Sequence, residues 1–313
     1  MKTNKLTKGV DENFVKAFQK TDLYVLYKKH SNEIFIGVCN NYLHFYYNCN
    51  SIAKVEYKKG RINCVTAKNL LRGIDIRNPQ DITSSQITKN YEQIKDNIER
   101  MPTPEKKAQS KLVLLNNANK KSKWFCIDIE WAKSGFSGRF DIIAISKEVP
   151  HSVALIELKY GRQAIGGKCG IRRHIKDFYK FKKNNYFEKY MKQDIVGIVK
   201  SRKMLELDLP DWLQYLTADD ITKYNFYVIT LDNNGETERH STPKQTMAGY
   251  LFNSFRWGCK KLATPPSVEK IFGDVTKKSN KLQVTFLFSK QTLDNLNIND
   301  IIYGNYDDKE IPQ

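Results

Sequence analysis

Two apolar segments decide how this chain folds: Phe140-Asp-Ile-Ile-Ala-Ile145 and Val153-Ala-Leu-Ile-Glu-Leu-Lys-Tyr160. Each is short, rich in branched apolar residues and typical of a buried β-strand. The first carries Asp141, and the second carries Glu157 and Lys159. Residues i and i+2 of a strand point to the same face, about 6.6 Å apart along the strand, so Glu157 and Lys159 project together. If the two strands form a hairpin, Asp141 joins them at one edge of a sheet.

Two carboxylates and an ammonium group at one sheet edge are suited to metal-assisted hydrolysis of a phosphodiester. Mg²⁺ is commonly held by one or two carboxylates together with substrate phosphate, and it lowers the pKa of a bound water. A neighbouring ammonium group orients that water or offsets charge that develops in the transition state. Asp141 and Glu157 are therefore candidate metal ligands, and Lys159 is the third candidate catalytic residue. Glu130, on the strand predicted before them, is a third acid near the metal or a plain solvent-facing residue.

The spacing Glu-x-Lys is common by chance, and it occurs three times in this sequence, at Glu56, Glu105 and Glu157. Only the last lies in an uninterrupted apolar strand with an Asp-bearing strand just before it. The alternative interpretation is a strand end whose polar residues meet solvent. Because charges at the end of a buried run are costly unless they are paired or ligated, we favour the functional interpretation.

Asp141 together with Glu157-Leu-Lys159 resembles the active-site motif of the PD-(D/E)XK nuclease superfamily, which has the restriction-endonuclease-like fold. The resemblance extends to the order of predicted elements, which is helix, three strands, helix, strand. It implies that Asp141 and Glu157 hold the metal and that Lys159 is the catalytic lysine. The residue before the aspartate is Phe140 rather than proline, at a position that varies widely in the family. The resemblance implies the chemistry and the fold, and it leaves the substrate open.

The predicted elements indicate an α/β protein, of the α+β type with a mixed sheet, in two parts. Residues 1–82 are predicted to form a β-rich module of five short strands that starts at 23–27, and residues 83–313 a nuclease-like αβββαβ domain with C-terminal additions. The module positions or senses the substrate, or it is an ordinary β-module whose aromatic residues form its core. The elements predicted for the second part are helices at 83–101, 103–119, 171–182 and 190–207, strands at 124–131, 140–146, 153–160, 225–231 and 282–288, and an amphipathic stretch at 246–257.

Composition favours a polyanionic partner. The chain of 313 residues carries a net charge of +18, which is the electrostatic footprint expected of a nucleic-acid-binding protein. The alternative is that the basic residues serve solubility. The six cysteines form no Cys-x-x-Cys pair, so reduced thiols are expected. With no signal peptide and no apolar run of about eighteen residues, a cytoplasmic protein without a membrane partner is expected.

A basic helix face is predicted just after the Glu-x-Lys strand and a glycine-rich segment at 161–170. Arg172, Arg173, Lys176 and Lys180 lie on its outer side, which suits contacts with DNA phosphates. His174 stands at the edge of the apolar stripe of the same helix, and we interpret it as a structural histidine.

The sequence therefore predicts a Mg²⁺-dependent endodeoxyribonuclease, in which Mn²⁺ can substitute. Restriction or anti-phage defence is a setting suggested by family analogy. The alternatives are an RNase or ligand-gated nuclease, and a non-catalytic nucleic-acid-binding protein on a nuclease-like fold. Family nucleases that cut both strands often act as dimers, so a homodimer is an expectation of the resemblance.

Overall fold

The computed structural model describes residues 7–160, 171–231, 282, 284–288 and 298. These residues form two β-sheets and seven α-helices, which confirms the mixed α/β class expected from the sequence. The chain divides into two compact units. Unit 1 contains Met1–Ser110 and Tyr190–Ala218, and unit 2 contains Lys111–Lys189 and Asp219–Gln313. The chain changes unit after residues 110, 189 and 218, whereas the sequence predicts a single boundary between 82 and 83.

Unit 1 is built on an antiparallel meander of four strands in the order β1-β2-β3-β4. The strands are β1 (Ile34–Val38), β2 (Tyr42–Tyr47), β3 (Asn50–Lys58) and β4 (Arg61–Val65). The meander predicted from the sequence is confirmed for these four strands. Short apolar runs between turn residues predict these strands correctly because their apolar side chains are buried, alternately in β2 and at all five positions in β1.

The first strand predicted for the module, at 23–27, is wrong, because these residues belong to helix α2 (Asp22–Lys29). The side chain of Thr21 accepts a hydrogen bond from the backbone N–H of Tyr24 and thereby caps the helix. Leu23, Leu26 and Tyr27 are buried at the i, i+3, i+4 spacing of a helix face. The β-forming tendency of the aromatic and branched residues is overridden by this cap and this burial.

The other helices of the first 118 residues are α1 (Glu12–Phe18), α3 (Ser84–Lys89), α4 (Tyr91–Glu99) and α5 (Pro104–Ala118). Helix α1 was not predicted from the sequence, whereas α5 lies within one residue of the predicted bounds 103–119 at each end. The predicted capping box of Thr83 and Gln86 is present at the start of α3. The single helix predicted from it divides at Asn90, whose side-chain amide donates to the carbonyl of Gln86. Asparagine side chains compete with the helical backbone in this way.

Helix α7 (Lys192–Met204) confirms the helix predicted at 190–207, and it packs on β1 within unit 1. Arg202 of this helix is buried, and its guanidinium donates to the carbonyl of Ile36. A Cβ atom on Gly197 would lie 2.0 Å from the backbone oxygen of Lys8, so only glycine fits at this crossing. The two contacts join α7 to the N-terminal stretch of the chain, at β1 and at Lys8.

Unit 2 is built on a mixed sheet in the order β5-β6-β7-β8-β9. Its strands are β5 (Trp124–Trp131), β6 (Phe140–Ser146), β7 (His151–Tyr160), β8 (Ile221–Leu231) and β9 (Val284–Phe288), and all five predicted strands are therefore confirmed. The pairs β5–β6 and β6–β7 are antiparallel, whereas β8 runs parallel to β7 and β9 parallel to β8. Helix α6 (Ile171–Lys183) lies in the chain between β7 and β8. Strand β7 is central and almost wholly buried.

Aromatic residues join helix α6 to this sheet. The ring of Phe178 stacks on that of Phe226 with the centroids 4.7 Å apart, and it also stacks on Phe140. Residues four apart lie on the same side of a helix, so the contact of Phe178 with the sheet also turns His174 toward the strands. These aromatic contacts thus fix the position of α6 on the sheet through Phe140 of β6 and Phe226 of β8.

Three predictions lie outside the described residues: those for the glycine-rich segment 161–170, for the amphipathic stretch 246–257 and for the tail from 307. Among the helices that the structure describes, none is long and apolar enough to cross a membrane. The described cysteines, Cys39, Cys49, Cys64 and Cys126, are all free thiols.

Candidate active site

The pairing of strands β6 and β7 ends just before the acidic residues that the sequence predicts for the site. Their last paired residues are Ile142 and Ile156, and Asp141 and Glu157 are the next residues on each strand. The Oδ2 atom of Asp141 accepts a hydrogen bond of 2.8 Å from the backbone N–H of Leu158. The carboxylate thus links β6 to β7 just beyond the end of the ladder, between the two positions of the Glu-x-Lys motif.

Glu157 is the centre of a buried polar cluster. The Nζ atom of Lys159 donates to its Oε1 atom at 2.6 Å, and the Nε2 atom of His174 lies 2.9 Å from the same oxygen. Glu157 is 1% exposed and Lys159 is 4% exposed, so this ion pair is held away from solvent. An ionised carboxylate only accepts hydrogen bonds, and the proton of the histidine contact therefore lies on Nε2.

The second oxygen of Glu157 is the most informative atom of the cluster. Oε2 is buried, and it has no hydrogen-bond partner in the part of the chain that the structure describes. A buried carboxylate oxygen without a partner costs free energy, which a bound cation would remove. Asp141 is the residue next to the last pair on the adjacent strand, so the two residues together supply the one or two protein carboxylates with which Mg²⁺ is usually held.

The pKa of Asp141 is shifted by burial and by the charges around it. Burial raises the pKa of this carboxyl well above its ordinary value, and the negative charges of Glu157 and Glu130 raise it further. The ammonium group of Lys159 and the N–H of Leu158 act in the opposite direction. Two acids that share a buried site favour holding a proton, and a divalent cation can replace that proton.

Glu130, the proposed third acid, lies on β5 and is paired with a surface arginine. Its Oε2 atom accepts from Arg139 Nη1 at 2.6 Å, and its side chain is 15% exposed. Its backbone has a φ of 57°, in the left-handed region that few non-glycine residues adopt. Because it raises the pKa of Asp141, it is close enough to influence the site electrostatically. Across the described residues, no group of three or more His, Cys, Asp and Glu side chains is arranged to hold a metal.

The basic face of α6 is present, although its members differ. Arg173, Lys176 and Lys180 are all exposed, and Lys180 also donates to the hydroxyl of Ser137 at 3.0 Å and lies 3.8 Å from a carboxylate oxygen of Asp177. Arg172 belongs to the same helix, and its side chain is outside the described part. The three described members of this face are therefore accessible to a phosphate group.

The sequence predicts a structural histidine at His174 and does not predict its partner. The structure places Nε2 of His174 2.9 Å from Oε1 of Glu157, a contact that is compatible with that prediction. One signal was available: a helix that follows the Glu-x-Lys strand must pack back across the sheet, and His174 is one turn before the apolar Phe178. The comparisons supply no further guide, since no family model, curated protein or solved structure matches the chain.

Proposed function

We propose that this protein is a metal-dependent nuclease that hydrolyses phosphodiester bonds of DNA, on a restriction-endonuclease-like core made of α5, β5, β6, β7, α6 and β8. The observation that carries the proposal is the state of Glu157. One of its oxygens is bound by Lys159 and His174, while the other is buried with no partner among the described residues. A cation bound at this oxygen would offset the cost of burying it, which the ion pair with Lys159 alone does not.

Asp141 and Glu157 would hold Mg²⁺, with Mn²⁺ able to substitute because it also accepts carboxylate oxygens. When bound, the ion would supply a water of lowered pKa and a Lewis acid for the phosphoryl oxygen. His174 keeps Oε1 of Glu157 occupied, which leaves Oε2 as the ligand oxygen. Glu130 contributes negative charge near Asp141, and we assign it no ligand bond.

Lys159 would act on the substrate rather than on the metal, because an ammonium group donates hydrogen bonds and has no lone pair to offer. Glu157 holds its Nζ atom beside the carboxylates. In this place the positive charge orients the attacking water and stabilises the negative charge that develops on the phosphate. Burial strengthens this electrostatic effect because little solvent screens it.

The preference for DNA rests on charge and on the family resemblance. The net charge of +18 and the exposed Arg173 and Lys176 on α6 favour a phosphate backbone as partner. Action in restriction or anti-phage defence, as a cytoplasmic homodimer, belongs to this proposal by analogy.

The proposal is tested with four substrates: supercoiled plasmid, linear duplex, single-stranded DNA and RNA, each with Mg²⁺ and with EDTA. We expect Mg²⁺-dependent cleavage of DNA by the wild type and none by Asp141→Asn. Cleavage of RNA alone would identify an RNase instead. Binding of nucleic acid without any Mg²⁺-dependent cleavage would identify a non-catalytic binding protein and contradict the proposal.

A further inference from the structure

A basic cleft lies in unit 1, formed wholly by residues of its N-terminal stretch. Its volume is about 520 Å³, within the range of about 300–1,000 Å³ that small-molecule sites occupy. Its walls come from α1 and the turn that follows it, from the β3–β4 hairpin and from the start of α3. The residues that matter for the argument are Asn13, Lys16, Lys20, Tyr57, Arg61 and Ser84.

The cleft is lined by three cationic side chains and by no carboxylate. Lys16 lies 3.9 Å from Glu12, in a pair so exposed that solvent screens it strongly. Lys20 and Arg61 have no carboxylate partner within the described ranges. Lys16, Lys20 and Arg61 all line the same concave surface. Such a local excess of positive charge attracts anions.

The walls of the cleft are fixed before any ligand binds. Arg61 is paired with Lys58 across the end of the hairpin, whose two turn residues, Lys59 and Gly60, have φ values of 51° and 80°. This is the turn geometry that matches the twist of a two-residue hairpin. On the opposite wall, the capping box begun by Thr83 fixes the start of α3. A preformed site binds with a smaller loss of conformational entropy.

Tyr57 adds a directional donor to this charge. Its ring is held edge-on by Phe14, with the centroids 6.5 Å apart, and it is half-exposed toward the cleft. Among the described residues its hydroxyl has no hydrogen-bond partner. A phenol, an amide from Asn13 and a guanidinium together match the oxygens of phosphoryl groups, to which arginine can donate two parallel bonds.

We propose that this cleft binds phosphoryl groups, with Lys20 and Arg61 as the main contacts and Tyr57 as a neutral donor. The volume admits a nucleoside diphosphate or triphosphate, or a short run of sugar–phosphate backbone, and the two sources share the same recognition chemistry. The site is separate from Asp141 and Glu157, which belong to unit 2. The inference therefore stands whether or not the protein cleaves DNA.

The test measures binding by calorimetry with inorganic pyrophosphate, ATP, adenosine and a short oligothymidylate as probes. The full-length protein carries Asp141→Asn throughout, so that cleavage cannot interfere. Lys20→Gln/Arg61→Gln removes the two cleft charges, and Lys29→Gln/Arg72→Gln removes two exposed charges of unit 1 outside the cleft. Tyr57→Phe removes only the hydroxyl group.

At least one phosphorylated probe should bind the parent protein, and adenosine should not. The cleft variant should lose about tenfold or more in affinity, while the control variant stays within about twofold. Binding of ATP and pyrophosphate without oligothymidylate would identify a soluble nucleotide as the source, and the reverse would identify the nucleic-acid backbone. No binding of any phosphorylated probe, or an equal loss in the control variant, would overturn the proposal. If the cleft double variant melts early, a smaller but measurable loss in Tyr57→Phe is required in its place.

Discussion

His174 binds the carboxylate of Glu157 from a neighbouring helix, with Nε2 2.9 Å from Oε1. The contact spans from α6 to the central strand, so the packing of that helix decides how the carboxylate is oriented. Glu157 is therefore held from two directions, along its own strand by Lys159 and across the sheet face by His174. Residues that orient a metal-binding carboxylate in this way typically change metal affinity when they are replaced.

Replacement of His174 should weaken metal binding as well as cleavage. We expect His174→Ala to lower Mn²⁺ affinity, measured by electron paramagnetic resonance, by about tenfold or more. His174→Gln keeps an N–H donor of similar reach and should recover part of the loss. His151 offers a matched control, because it is a buried histidine at the other end of β7 that contacts the carbonyl of Ser146. If His151→Ala lowers Mn²⁺ affinity equally, the effect is one of general stability.

Asp141→Asn should stabilise the metal-free protein at neutral pH. The folded-state pKa of Asp141 is raised above that of the unfolded chain, which is about 3.9. Between these two pKa values the folded state binds more protons than the unfolded state. The contribution of Asp141 to the free energy of unfolding is therefore greatest below about pH 4, and it falls as the pH rises from there toward the folded-state pKa. The asparagine can still accept from Leu158 and has no proton to lose. Urea unfolding in EDTA should show that the free energy of unfolding of Asp141→Asn exceeds that of the wild type by an amount that grows with pH.

Addition of Mg²⁺ reverses this comparison, because a ligand that binds only the folded state stabilises it. Wild type should gain stability on addition of Mg²⁺, whereas Asp141→Asn should gain little. The exposed Asp81→Asn serves as the control and should follow wild type in both conditions. An advantage of Asp141→Asn that is the same at every pH would contradict the assigned cause.

Glu157→Gln should abolish cleavage and also destabilise the fold, because it removes the negative charge that accepts the 2.6 Å hydrogen bond from the buried ammonium group of Lys159. Breaking a buried pair in this way costs about 3–5 kcal/mol. The double variant Glu157→Gln/Lys159→Met should recover much of that stability and remain inactive. The matched control is Glu56→Gln on β3, in a Glu-x-Lys pair with Lys58 that is far more exposed and should cost less than about 1 kcal/mol. Equal costs at the two positions would show that burial does not set the energy of the motif.

Lys159→Met should reduce turnover by roughly a hundredfold while the midpoint of the Mg²⁺ titration is roughly kept. The reason is that, in the proposed function, the ammonium group would act on water and phosphate, whereas the carboxylates would bind the metal. Rates of plasmid nicking across a Mg²⁺ series separate the two quantities. Lys58→Met, the corresponding change on β3, should alter neither. A shift of the midpoint with turnover kept would argue against the assigned role.

Binding of DNA to the Asp141→Asn protein should fall steeply with salt. Neutralising Arg173 and Lys176 should weaken binding to all sequences alike and flatten the log–log salt slope by about one unit per contact. Lys180→Ala should have a smaller effect, since Ser137 and Asp177 already engage that side chain. Lys120→Ala/Lys121→Ala, an exposed pair in unit 2, is the control for charge alone. If control and test variants give equal slopes, the DNA footprint lies elsewhere.

Local patterns predicted most elements of the fold, because strands and helices are encoded by short-range periodicity and caps. The exception at 23–27 shows the limit of this approach: β-forming side chains became helical once Thr21 capped the turn and Leu26 was buried. The hairpin of β6 and β7 was also within reach, since the two apolar runs are close in sequence. It makes Asp141 and Glu157 the next residues on each strand beyond the last pair.

The contacts of the site that depend on packing could not be read from the sequence. His174 reaches Glu157 only because Phe178 fixes α6 on the sheet, and Arg139 reaches Glu130 only because the backbone of Glu130 turns into the left-handed region. The membership of Tyr190–Ala218 in unit 1 was equally hidden. Its helix has an ordinary composition, and its partner strand β1 lies more than a hundred and fifty residues earlier.

That segment has a consequence for how the protein can be taken apart. The chain passes between the units three times, so each unit is completed by two separate stretches of sequence. Removing the N-terminal stretch would take from α7 both β1, to which Arg202 donates, and the backbone of Lys8, which lies against Gly197, and would expose the apolar side of the helix. A single cut of the chain therefore does not release either unit with both of its stretches. We expect a truncated or recombined protein to keep both units folded only when all four stretches are present.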